Sequence, residues 1–70
     1  MRGALKTHLT PREEEIIGFL GAGCSNRLIA EALGIKVDTV KIHLARAFRK
    51  LGCRTRLEAA MLHEQARRAS

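Results

Sequence analysis

The sequence lacks several features that would place it in common protein classes. It has no tryptophan or tyrosine, and only two phenylalanines, one proline and two cysteines among 70 residues. So few aromatic residues disfavour a large β-sandwich, and two cysteines cannot form a disulfide framework. No apolar run approaches the ~20 residues that span a bilayer, and the first residues do not form a secretory signal. We therefore expect one small domain in a reduced, cytoplasmic setting.

The charged residues are distributed unevenly along the chain. Residues 1–34 contain four basic and four acidic side chains, whereas residues 35–70 contain nine basic and three acidic ones, which account for the whole formal net charge of +6. A neutral half followed by a basic half is typical of a nucleic-acid-binding protein. A chain of this length also has little room for a deep substrate pocket. We expect a binding protein and not an enzyme.

Helix signals predict an all-α fold of four helices, a four-helix bundle that contains a helix-turn-helix. Residues 1–8 have no clear period and are interpreted as a flexible tail or linker, with residues 9–68 as the domain. The first helix starts with a capping box, in which Thr10 and Glu13 satisfy each other's backbone N–H groups. It ends at the glycine-rich residues 21–23.

A very short connection joins the second and third helices. The second helix covers residues 26–33 after the cap Ser25, and Gly34 follows as a left-handed terminator. The third helix covers residues 37–51. A short connection that contains glycine forces the two helices to cross steeply, which is the helix-turn-helix geometry.

The third helix has an apolar face and a polar one. Apolar residues at steps of three or four predict the buried face, which consists of Val40, Leu44, Ala47, Phe48 and Leu51. The opposite face consists of Lys41, Ile42, Ala45, Arg46 and Arg49.

The fourth helix has more apolar residues than its own core requires. It starts after Thr55, which forms a second capping box with Glu58. One apolar row contains Leu57, Ala60 and Met61, and a second contains Ala59, Leu62 and Ala66. A terminal helix needs only one row for its core, so the second row is a candidate surface for self-association.

Five segments, in order and without gaps over residues 9–63, resemble the LuxR/GerE-type DNA-binding domain. They are LTPREEEII (9–17), GCSNRLIA (23–30), TVKIHL (39–44), KLG (50–52) and RLEAA (56–60). The resemblance implies a bacterial regulator of transcription that binds specific double-stranded DNA as a dimer on two half-sites. It also implies that the third helix is a recognition helix in the major groove and that the fourth forms the dimer interface.

Candidate site residues follow from these positions. Bases are read by the outward face of a recognition helix, near its N-terminal half, which here carries Asp38, Lys41, Ile42 and Ala45. Candidates for contacts with DNA phosphates are Ser25, Asn26, Arg27, Lys36, Thr39, His43, Arg46, Arg49 and Lys50. The dimer-interface candidates are Ala59, Leu62, His63 and Ala66.

Simpler roles stay open for seven of these residues, of which Arg46, Arg49 and Lys50 could form only a solvated charged surface. Lys41 could bind a phosphate and no base, and Ile42 could be an isolated exposed apolar residue. Ser25 could be a helix cap without a ligand. His43 could be a packed or solvated helix histidine.

Three positions depart from the family pattern. Lys36 stands where a Ser or Thr usually caps the recognition helix, and a missing N-cap costs about 1 kcal/mol. Leu28 stands where an acidic residue usually completes a capping box with Ser25, which weakens that cap too. Ala45 is smaller than the polar side chains usual at its position. We therefore expect base preference to rest partly on DNA shape.

The nearest alternative function also involves DNA. Residues 39–47 resemble sigma factor region 4, a promoter-binding module, which makes RNA polymerase a further candidate partner. The Ser25–Asn26 pair, residues 50–52 and the capped fourth helix favour the LuxR/GerE type.

Two further alternatives have little support. A metal or thiol site would need Cys24, Cys53, His43 and His63, which form no CxxC or HxxxH motif. A membrane-surface module needs exposed large apolar residues beside basic ones, and we expect both phenylalanines to be buried. We thus expect no cofactor, no bound metal, no membrane partner and no small-molecule substrate.

Overall fold

The structure is a computed structural model that describes residues 9–69, and in this range it contains helices and no strand. The helices are α1 (Pro11–Gly21), α2 (Asn26–Leu33), α3 (Val37–Leu51) and α4 (Arg56–Ala69). The predicted all-α fold and its four helices are confirmed, while the predicted tail, residues 1–8, lies outside the described residues. Over the described range, no helix is long and apolar enough to cross a membrane.

The helices begin where the local signals place them. Thr10 Oγ1 accepts a hydrogen bond from the backbone N–H of Glu13 at 3.1 Å, and Glu13 Oε1 accepts one from the N–H of Thr10 at 2.9 Å. Ser25 Oγ accepts from the N–H of Leu28 at 3.2 Å. Lys36 makes no side-chain capping bond, as expected, so α3 begins without a local cap.

The helix-turn-helix consists of α2, the turn after it and α3. Gly34 ends α2 with φ of 69°, a left-handed conformation that glycine adopts without strain. The N–H of Ile35 then donates to the carbonyl oxygen of Ala30 at 3.0 Å, which closes the turn. Ala30 is 5% exposed, and Val40 on α3 is fully buried. The small Ala30 side chain lets the helices pack closely, and the outward face of α3 stays uncovered.

The core forms around α1, which packs against both α3 and α4, while α2 packs against α3. The three buried apolar residues of α1 are Ile16, Ile17 and Leu20. They share one cluster with Ile29, Ala30, Val40, Leu44, Ala47, Cys53 and Ala59. Phe19, Phe48 and Leu51 are partly buried against that cluster. The predicted apolar face of α3 thus packs inward. Full burial of an Ile or Leu side chain stabilises a fold by about 1.5–3 kcal/mol, so this cluster is the main source of stability.

Most of the apolar residues of α4 lie opposite to the sequence-based interpretation, and only Ala60, of the row assigned to the core, packs against the core as expected. Ala59 is fully buried and Leu62 packs against the core. Leu57 and Met61, from the row assigned to the core, are 69% and 53% exposed. The interpretation of the two rows is therefore wrong, and Ala59 has no surface with which to contact a second chain.

The physical reason is the close approach of α1 and α4. A Cβ atom added at Gly18 or Gly21 would lie 3.6–3.8 Å from ring atoms of His63. The His63 ring therefore lies over a glycine surface of α1. A helix this close needs a small side chain at the contact, which is why alanine, and not a larger apolar residue, occupies position 59.

Candidate nucleic-acid interface

The residues predicted to read bases share one outward strip of α3. Their spacing of three, four and seven residues places them on one side of a helix, and all four are exposed: Asp38, Lys41, Ile42 and Ala45. Ile42 is 52% exposed, which is high for a large apolar side chain. The strip begins at the uncapped N-terminus of α3, beside the turn.

Of the predicted phosphate-contacting residues, those on α3 lie beside this strip on the same helix. Arg27, Lys36, Arg46 and Arg49 are exposed, and Thr39 and His43 are partly buried at its edge. Within residues 9–69, Lys41, Arg46 and Arg49 on the outward face of α3 make no ion pair with a carboxylate. Their charges are therefore available to an anion. The exposed arginines of α3 thus lie on the same helix as the strip, while Arg27 lies on α2.

Lys50 differs from the other candidates because Glu13 holds its ammonium group. Lys50 Nζ lies 2.8 Å from Glu13 Oε1, and the Lys50 side chain is 36% exposed. Glu13 itself is 2% exposed. The hydrogen bond from Lys50, together with the one from the Thr10 backbone, holds the pKa of Glu13 below its ordinary value of 4.5. Glu13 is thus charged near neutral pH, and it offsets the charge of Lys50.

This ion pair links two distant parts of the fold. It joins the N-terminal turn of α1 to the C-terminal turn of α3, across 37 residues of sequence. Sequence reasoning identified Glu13 as a capping residue and Lys50 as a phosphate contact, and it missed their pairing. No local spacing signal connects residues so far apart.

The residues predicted at the start of α2 lie in a second contact that the sequence did not reveal. Asn26 Oδ1 accepts a hydrogen bond of 2.6 Å from Arg56 Nη1, and the Cys24 carbonyl oxygen accepts one of 2.9 Å from Arg56 Nη2. Arg56 is the first residue of α4. The start of α4 is therefore fastened to the start of α2.

The cysteines lie in unlike surroundings. Cys53 is buried directly after Gly52, and burial raises the pKa of its thiol above the ordinary value, so the thiol stays protonated near neutral pH. Cys24 is partly buried in the turn before α2. Over residues 9–69, no group of three or more His, Cys, Asp or Glu side chains is placed to hold a metal ion.

The chain matches the family described as bacterial regulatory proteins, luxR family, over residues 7–63. It is similar to the nitrate/nitrite response regulator protein NarL of Escherichia coli (strain K12), with 39% identity over 59 residues, which are 84% of this chain and 27% of NarL. It is 43% identical over 61 residues to the nitrate/nitrite response regulator protein NarP of the same strain, covering 87% of this chain and 28% of NarP.

A relative from a different bacterium gives the same result. The transcriptional regulatory protein MctR of Rhizobium johnstonii is 49% identical over 47 residues, which are 67% of this chain and 22% of MctR. The chain thus spans about a quarter of the length of these curated relatives. No solved structure matched the chain at a significant level.

Proposed function

The chain belongs to the luxR family of bacterial regulatory proteins, and from that membership we propose that it binds a specific double-stranded DNA site. The family consists of DNA-binding transcription regulators and is not an enzyme family. The observation that carries the proposal is the outward strip of α3, where exposed residues and unpaired positive charges lie on a helix-turn-helix. A basic helix of this kind fits the major groove, which is wide enough to admit it.

In the proposed complex, α3 lies in the major groove as the recognition helix. The Lys41 ammonium group donates to O6 or N7 of a guanine, and Ile42 packs against a thymine methyl group. Ala45 lies one turn further along and contributes little reach. Asp38, at the N-terminal turn of α3, faces the same base edges.

The phosphates on either side of the groove are contacted by the residues around α3 and at the start of α2. Hydrogen bonds and charges at these positions fix the register of the protein on the duplex without reading sequence. The proposed set is Ser25, Asn26, Arg27, Lys36, Thr39, His43, Arg46 and Arg49. Lys50 adds less to this set than an unpaired lysine would, because Glu13 already neutralises it.

A second copy of the chain is the proposed partner on DNA. The exposed apolar surface of α4 is formed by Leu57 and Met61, one helical turn apart. A dimer that buries this surface would place two α3 helices on half-sites about 10 base pairs apart, centre to centre. The partly buried Leu62, His63 and Ala66 would lie at the edge of that contact or behind it.

In vitro selection from a random duplex library tests the proposal directly. We expect an enriched motif with two-fold symmetry, whose spacing gives the half-site separation. A single asymmetric motif bound by a monomer would instead favour the sigma-like alternative.

A salt titration on the selected duplex tests the phosphate contacts. The logarithm of the binding constant should fall linearly with the logarithm of salt concentration, with a slope of about −0.9 per phosphate contacted. Binding that does not change between low and moderate salt would contradict the proposed interface.

A further inference from the structure

The first residue of α4, Arg56, holds the N-terminal turn of α2 from outside that helix. Its two terminal nitrogens donate to Asn26 Oδ1 at 2.6 Å and to the carbonyl oxygen of Cys24 at 2.9 Å. These two acceptors flank Ser25, which is the N-cap of α2. One guanidinium group therefore spans the cap of a helix whose third residue, Leu28, has no carboxylate with which to complete a capping box.

This contact determines which way the Asn26 amide faces. A guanidinium group has donors and no acceptor, so the amide atom that faces Arg56 must be the oxygen. The amide nitrogen is bonded to the same carbon and therefore points away from Arg56. In the described part of the chain, no protein atom accepts a hydrogen bond from this nitrogen. Asn26 thus presents two free N–H donors at the start of α2.

We propose that Arg56 is a positioning residue for DNA binding, which holds the Asn26 amide with its nitrogen toward a DNA phosphate. The inference rests on the proposed function, in which Asn26 contacts the DNA backbone. Without Arg56, the amide can rotate and present its oxygen, which repels a phosphate. Both terminal nitrogens of Arg56 donate to neutral acceptors of its own chain, and we assign Arg56 a role through Asn26 and not a phosphate contact of its own.

A double-mutant cycle on DNA binding tests this role. The probe is one duplex of fixed arbitrary sequence at low salt, because phosphate contacts do not depend on base sequence. Asn26→Ala should weaken binding by about 10- to 150-fold, the loss of one hydrogen bond to a charged group. Arg56→Met should weaken it to a similar degree. Once Arg56 is replaced, adding Asn26→Ala should cost less than about twofold, because the amide no longer has a fixed direction.

Arg54→Met is the matched control for charge. Arg54 is also an exposed arginine and lies two residues before Arg56. Its hydrogen bond to Glu58 is made by the backbone N–H, so replacing the side chain leaves that bond in place. In that background, Asn26→Ala should keep its full effect. Thermal unfolding of every variant, followed by circular dichroism, establishes that the fold is intact. If Arg56→Met does not fold, Arg56→Lys replaces it, since one ammonium group cannot reproduce the two-pronged contact.

The possible results separate this inference from the proposed function. If the unaltered chain binds the duplex and the losses from Asn26→Ala and Arg56→Met multiply, Arg56 acts independently and the inference is overturned. A salt slope reduced by a further ~0.9 in Arg56→Met would identify Arg56 as a phosphate contact and would also overturn it. Normal DNA binding by the Asn26→Ala variant would also overturn the inference. If the unaltered chain does not bind duplex DNA, the proposed function fails as well.

Discussion

Replacing Glu13 with glutamine is the sharpest test of how α3 is held on α1. Glutamine has nearly the same shape, and at the third position of a helix it can still complete a capping box. Glu13→Gln therefore removes the negative charge that faces Lys50 and leaves the cap in place. The variant isolates the ion pair between the two helices.

The size of the effect follows from the surroundings of the two partners. Removing one partner of a fully buried ion pair costs about 3–5 kcal/mol. Here the Lys50 side chain is 36% exposed and can turn to water, so we expect a smaller loss of about 1–2 kcal/mol, between the values of a neutral hydrogen bond and of one to a charged group. The total free energy of unfolding of a domain of this size is about 4–10 kcal/mol. At about 4–8 °C per kcal/mol, the melting temperature should fall by about 4–16 °C.

The loss of stability in Glu13→Gln should become smaller as the pH falls. The pKa of Glu13 is below 4.5 in the folded chain, so around that pH the unfolded chain binds more protons. The ion pair therefore stabilises the fold fully above pH 4.5, and this contribution disappears as the pH falls through the lowered folded pKa. The difference in stability between the unaltered chain and Glu13→Gln should be largest near neutral pH and should close below pH 4.5.

Urea unfolding at a series of pH values, followed by far-ultraviolet circular dichroism, measures this difference. The matched control is Glu14→Gln, because Glu14 is the next residue in the same first helical turn and is exposed. The control should change the free energy of unfolding by less than about 0.5 kcal/mol, as surface substitutions do. Equal losses in the two variants, or a loss from Glu13→Gln that does not change with pH, would refute the reasoning.

Two further substitutions test the proposed DNA and dimer surfaces. Lys41→Ala should weaken binding to a selected site by about 1–3 kcal/mol and affect an unrelated duplex less; equal losses on both duplexes, measured by fluorescence anisotropy, would make Lys41 a phosphate contact. Leu57→Glu should leave the melting temperature unchanged and reduce dimer formation on DNA in analytical ultracentrifugation, whereas Leu62→Glu should lower the melting temperature, because Leu62 packs against the core. Unaltered association of Leu57→Glu would exclude this face of α4 as the interface.

The order and the bounds of the helices were predictable because their signals are local. The capping box of Thr10 and Glu13 and the glycine after α2 each act within a few residues of sequence. The inward face of α3 was predictable for a related reason. Its apolar residues form one row, and the opposite side carries the charges.

The packing of α4 was not predictable in the same way. Its two apolar rows are similar in length, and the row with the larger side chains, Leu57 and Met61, gave a misleading preference for the core. What decides the orientation is the glycine surface of α1 under His63, which requires the small side chain of Ala59 at the contact. That requirement belongs to a pair of helices, and a periodicity read along one helix does not contain it.

The hydrogen bonds from Arg56 also affect the order in which the chain acquires its structure. A capping carboxylate within α2 would form its bond together with the first helical turn, whereas Arg56 lies 30 residues from Asn26 and 32 from Cys24 in sequence. A contact over such a separation requires closure of a long loop, so it forms only once α4 has docked. The start of α2 is therefore completed late in folding.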